Sequence, residues 1–146
     1  MKNNYRDIHV HLYGVLSATD IWTLGKNIWQ KRTKRLIWYE EEYEKYWHRR
    51  PYWQKYWTTS EGYTLLKNDY LFLKKGSFSQ FQACFNLIIA LFPIDVHDTK
   101  MINFLFNKLY LLQCPYLEVR CPLPPNASTK DTNTYISNLT KQSQLA

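Results

Sequence analysis

DIHVHLYGVLS, running from Asp7 to Ser17, is the stretch on which the reading of this chain turns. Ile8, Val10 and Leu12 alternate with Asp7, His9 and His11, the two-residue period of a half-buried β-strand. Gly14 then breaks the run. Two histidines at i and i+2 on one strand face project their imidazoles into the same space, so both can bind one divalent cation at about 2.0–2.1 Å. The end of a strand, just before a loop, is also where parallel α/β architectures place active sites. His9 and His11 are therefore the candidate metal ligands.

Working outward, Ser17 precedes Asp20 by three, a capping-box pattern with the shorter acid, ahead of Ile21, Leu24, Ile28 and Trp29 at helical spacing. The block KRTKRLIWYEEEYEKYWHRRPYWQKYW (31–57) follows, basic and aromatic, with Pro51 as the break between two expected helices. Trp38, Tyr39, Tyr43, Tyr46 and Trp47 fall on one face of the first, and Glu41 pairs with Lys45 at i,i+4. A further helix is expected from Tyr63 to Leu73, stopped by Gly76. Ser77 and Gln80 form a capping box opening an apolar helix from Phe78 to Leu91, which Pro93 ends. After Asp98, the apolar residues Met101, Phe104, Leu105, Leu109 and Leu112 make an amphipathic stripe, with the Lys108 stem at its edge.

From Tyr116 to Cys121 the chain alternates again: Leu117 and Val119 share one face, Tyr116, Glu118 and Arg120 the other, and Pro122 ends the run. Two such strands separated by helices predict a parallel α/β sheet whose polar faces line an interior. Beyond Asn126 the chain is polar and reads as a tail or an unfinished helix.

The 146 residues suit one domain. Aromatic residues make up 17% of the chain, too many for a disordered one. The longest apolar run, Phe81 to Ile94, is interrupted by Gln82, Asn86 and Pro93, and falls short of the about 20 apolar residues that a membrane span needs. The first twenty residues show no apolar region with a cleavage site, so the chain is expected in the cytoplasm. Cys84, Cys114 and Cys121 are odd in number and lack a CxxC pair, which makes them small buried hydrophobes and not a disulfide framework.

DIHVHLYGVLS resembles the opening strand of the adenosine deaminase family of metal-dependent amidohydrolases, in which HxHL and a following glycine begin the barrel. FSQFQACF, with Phe81 and Phe85, resembles the family's FxxxF helix at the mouth of the substrate pocket. YLEVRCPLPP resembles its second barrel strand. The three motifs stand in the family's order and cover about 7–17 and 78–125. The Trp- and Tyr-rich helical block at about 26–75 lies between them as an insert.

The resemblance implies the N-terminal part of a TIM-type (β/α)8 barrel, helix-rich and incomplete in this chain, within residues 1–125, with 126–146 outside it. It implies a zinc hydrolase that deaminates an adenine nucleoside or similar compound. His9 and His11 would be zinc ligands, Tyr13, Phe81 and Phe85 substrate-binding residues, and Glu118 and Arg120 groups inside the barrel. Tyr13 stands where the family commonly has a sugar-binding Asp, so an adenosine-like compound is expected in place of adenosine itself. The remaining zinc ligands and the catalytic residues belong to later strands of a barrel of about 250 residues. No catalytic residue is assigned here, and whether the chain is an enzyme alone stays open. A homo-oligomer or a complementing chain would complete the site. His48 and His97 read as surface histidines.

A net charge of +7 permits a polyanionic partner without requiring one. The alternative reading is a non-catalytic binding module for single-stranded nucleic acid or a protein partner. In it, Lys26, Lys31, Arg32, Lys34, Arg35, Arg49, Arg50 and Lys55 line a groove with Trp29, Trp38, Trp53 and Trp57. Against it, Glu40 to Glu42 and Glu44 interleave with the cations, as on a solvated helix face over an aromatic core.

Overall fold

A computed structural model describes residues 9–72, 75–93, 95, 98–111, 118–123 and 127–145. The chain divides into two compact units, Ser17–Pro93 and the combination of Met1–Leu16 with Ile94–Ala146. Helix dominates both.

In the second of these, β1 (His9–His11) pairs in parallel with β2 (Glu118–Arg120), His9 opposite Glu118, Val10 opposite Val119 and His11 opposite Arg120. Both expected strands are thus present and parallel, each shortened to three described residues. Asp7, Ile8, Tyr116 and Leu117 lie outside the described residues. Leu12 leaves the strand for a 3-10 turn, Leu12–Val15, and is fully buried. A helix over Thr99–Leu111 buries Ile102, Leu105 and Leu109; of the expected stripe, Leu105 and Leu109 are buried, Met101 and Phe104 half-buried, and Leu112 lies outside the described residues. Asp98 caps it, its Oδ1 accepting the Met101 N–H at 2.9 Å.

Thr129–Leu145 is a helix, with Ser128 and Asp131 forming the cap. Tyr135 explains it. That ring is buried with Ile102 while Phe106, Cys121 and Leu139 pack around the pair, so one side of a polar sequence has a core to rest on.

The unit Ser17–Pro93 holds four helices: α1 (Ala18–Gly25), α2 (Thr33–Trp47), α3 (Gly62–Tyr70) and α4 (Phe78–Leu91). The two downstream helices described above are α5 and α6. Both expected capping boxes close, Ser17 with Asp20 and Ser77 with Gln80, each satisfying N–H groups that the first turn leaves unpaired. The unit is wider than the 26–75 block, taking in α1 and α4.

Three expectations are corrected. The helix after Pro51 is only a 3-10 turn, Trp53–Lys55. Trp53 Nε1 is held by Glu40 at 2.6 Å and the Tyr56 hydroxyl by Asp69 at 2.6 Å, while Thr58 and Thr59 turn their hydroxyls back onto the Gln54 and Lys55 carbonyls, competing with helical continuation. The helix expected to Leu73 stops at Tyr70, where Leu71 turns extended and the chain brings Tyr70, Leu71 and Phe72 against Phe81 and Phe85. Gly76 is accordingly not its stop. That glycine has no positive φ, and the space a Cβ would take is filled by the Gln80 amide and the Phe72 ring.

Of the five aromatics expected on one face of α2, Tyr39 and Tyr43 are buried and Trp38 is exposed. Cys84 is buried as expected, Cys121 partly so, and Cys114 lies outside the described residues. No described helix is long and apolar enough to cross a membrane.

Candidate functional site

In a parallel ladder, residues paired in register share a sheet face, so positions 9, 11, 118 and 120 fall on one face and 10 and 119 on the other. The two polar faces read separately in the sequence are thereby one surface. His11 is exposed, as are Glu118 and Arg120, whose Oε1 and Nε stand 3.9 Å apart. Both side chains are more than half exposed on this two-stranded face. Among the described residues, no three His, Cys, Asp or Glu side chains gather as a metal site.

Tyr13 follows directly, half-buried in the 3-10 turn. Burial, then the negative charge of Asp98 and Asp95, push its phenol up to about 12. At neutral pH it is a neutral group that can both donate and accept a hydrogen bond. Asp98 therefore has two effects, capping α5 and adding to the rise of the Tyr13 phenol.

Phe81 and Phe85 belong to the other unit. Their rings stack at 6.2 Å with 24° between planes, Phe72 meets Phe81 edge-on at 5.9 Å, and together with Tyr70, Leu71 and Cys84 they line a cavity of about 210 Å³. The Cys84 thiol is raised by burial to about 11 and is no nucleophile at neutral pH.

Sequence reasoning missed the most constrained polar cluster. The Asp69 carboxylate is 5% exposed; its Oδ1 takes the Arg49 guanidinium at 2.6 Å and its Oδ2 the Tyr56 hydroxyl at 2.6 Å. Arg49 also donates to the Tyr43 hydroxyl at 2.6 Å, and the Tyr39 hydroxyl lies 3.4 Å from that of Tyr56. The available signal was the tyrosines: three phenols in an aromatic core need polar partners, and Asp69 is the acceptor the following helix offers.

Part of the eight-cation groove is taken up by internal contacts. Arg49 is spent on Asp69, Arg50 lies 2.8 Å from Glu44 and 3.7 Å from Glu40, Trp53 is buried, and Trp57 stacks on Trp29 at 5.9 Å. His48 is exposed in the left-handed region, φ 52°, as the C-cap of α2, the surface place expected of it. His97 lies outside the described residues.

Comparison of the chain with protein-family models, with curated proteins and with solved structures finds no match.

Proposed function

We propose that β1 and β2 are the first two strands of an adenosine deaminase-like zinc hydrolase site acting on an adenine nucleoside or similar compound. The parallel register that sets His9 beside Glu118 and His11 beside Arg120 carries this reading. Two motifs far apart in sequence stand side by side in the sense and order that opening barrel strands require.

The donor set fits zinc in kind. Imidazole nitrogen is a preferred zinc ligand, positions 9 and 11 share a face, and a catalytic zinc takes three protein ligands, of which this strand supplies two. Glu118, adjacent to His9 in the ladder, is the type of carboxylate that fixes the tautomer of a ligating histidine. When bound, zinc lowers the pKa of water toward about 7 and so provides a nucleophile at neutral pH. Tyr13, in the turn that follows β1, donates a hydrogen bond to a substrate hydroxyl.

Co2+ in place of zinc gives a visible absorption band whose intensity reports low-coordinate nitrogen ligation. Titration is expected to give a saturating band that His11→Ala abolishes while helical circular dichroism is retained. A band of unchanged intensity in that variant removes the histidine pair as ligands, and the hydrolase reading with it.

A further inference from the structure

We infer that the turn joining α1 to α2, together with the first turn of α2, docks single-stranded nucleic acid through Lys31, Arg32, Lys34 and Arg35, with Trp38 as a stacking platform. It involves none of the residues of the proposed zinc site and is independent of that reading.

From Ile21 to Tyr39 the chain carries five cations and no acid. Among the described residues none of the five makes an ion pair, whereas Arg49 and Arg50 a few turns later are both paired. Lys26 rests over the Trp22 ring at 3.5 Å, leaving four cations around the start of α2. Helix starts normally attract acids, yet α2 has none in its first turn and its N-cap, Arg32, makes no capping side-chain bond. Positive charge is therefore added to the positive end of the helix dipole. The fold gives little back: the Arg32 Nε has no hydrogen-bond partner, and the Arg35 guanidinium, which donates one bond to the Ile89 carbonyl at 2.8 Å, is pushed down by burial and by Arg32. Turning Arg32 toward an external acceptor breaks no internal bond of its Nε.

The partner is narrowed by Trp38. It follows Lys34 by four and Arg35 by three, so it shares their side of the helix, and it is 39% exposed although aromatic neighbours at Tyr39 and Tyr43 are buried. A flat ring beside cations suits a strand that offers a phosphate and a base in alternation. An acidic peptide has no base to stack, and Ile37 and Trp38 alone present little apolar surface for a lipid interface.

The test is fluorescence anisotropy with a labelled oligothymidylate. Four neutralised phosphates on a single strand give a log–log salt slope of about −3, so affinity is expected to fall about 50-fold between roughly 50 and 200 mM salt. Lys31→Glu with Lys34→Glu should abolish binding, and Trp38→Ala should weaken it at least about fivefold, the lower bound for one stacked base. All three side chains are exposed, so the fold is retained. No binding at low salt overturns the inference. So does oligoglutamate binding as tightly as oligothymidylate, binding only to phosphatidylserine vesicles, or indifference to Trp38→Ala.

Discussion

Asp69→Ala is expected to destabilise the Ser17–Pro93 unit by about 3 kcal/mol, the low end of the range for removing one partner of a buried ion pair. The low end applies because Arg49 is 47% exposed and, once released, relaxes into water. The tyrosines have no such escape. The Tyr56 hydroxyl is enclosed and loses its 2.6 Å acceptor, keeping only the Tyr39 hydroxyl at 3.4 Å, and a poorly satisfied buried donor costs up to about 1–3 kcal/mol. Asp69→Asn keeps an acceptor for Tyr56 but not the charge for Arg49, so its loss should be smaller. All six tryptophans lie between Trp22 and Trp57, so tryptophan fluorescence during urea unfolding reports this unit. A midpoint unchanged in Asp69→Ala would show that the network does not hold the helices together.

The second large effect is alkaline unfolding. Burial drives the phenols of Tyr39 and Tyr56 well above the ordinary 10, and raises that of Tyr43, with Asp69 adding to each; Tyr70 is pushed to about 12 by burial, then by Asp20. A phenol whose folded value is raised stays neutral in the fold while it ionises in the unfolded chain. The stability it contributes is complete below about pH 10 and is lost as pH climbs toward about 12 and beyond. Several such groups in one unit make the loss steep. Phenolate absorbance and tryptophan fluorescence are expected to change together in one cooperative step above pH 10. Gradual phenolate formation with unchanged fluorescence would contradict the buried arrangement of Tyr39, Tyr43 and Tyr56.

How far the sequence could be read depended on whether a feature was local. The caps of α1 and α4 are set by residues three apart, and both were legible from Ser17 with Asp20 and Ser77 with Gln80. Alternation marked the two strands, and the helices between them predicted their parallel pairing. The turn at Trp53–Lys55 was not legible, since it is held by Glu40 and Asp69 from other elements, which periodicity cannot see. Residues 129–145 show the same limit: the helix rests on Tyr135 finding Ile102. At the candidate site, the share of a face by positions 9 and 11 follows from strand geometry, whereas the environment of Tyr13 depends on Asp95 and Asp98 and emerged only from the fold.

The most direct test of the zinc-strand proposal is the zinc content of the purified protein, measured by elemental mass spectrometry beside a His9→Ala, His11→Ala double variant whose helical circular dichroism is intact. About one tightly held zinc per chain, its further ligands supplied by a second copy of the chain, is expected in the parent and none in the variant. Equal zinc in both, or none retained by the parent after zinc loading and dialysis, would contradict it.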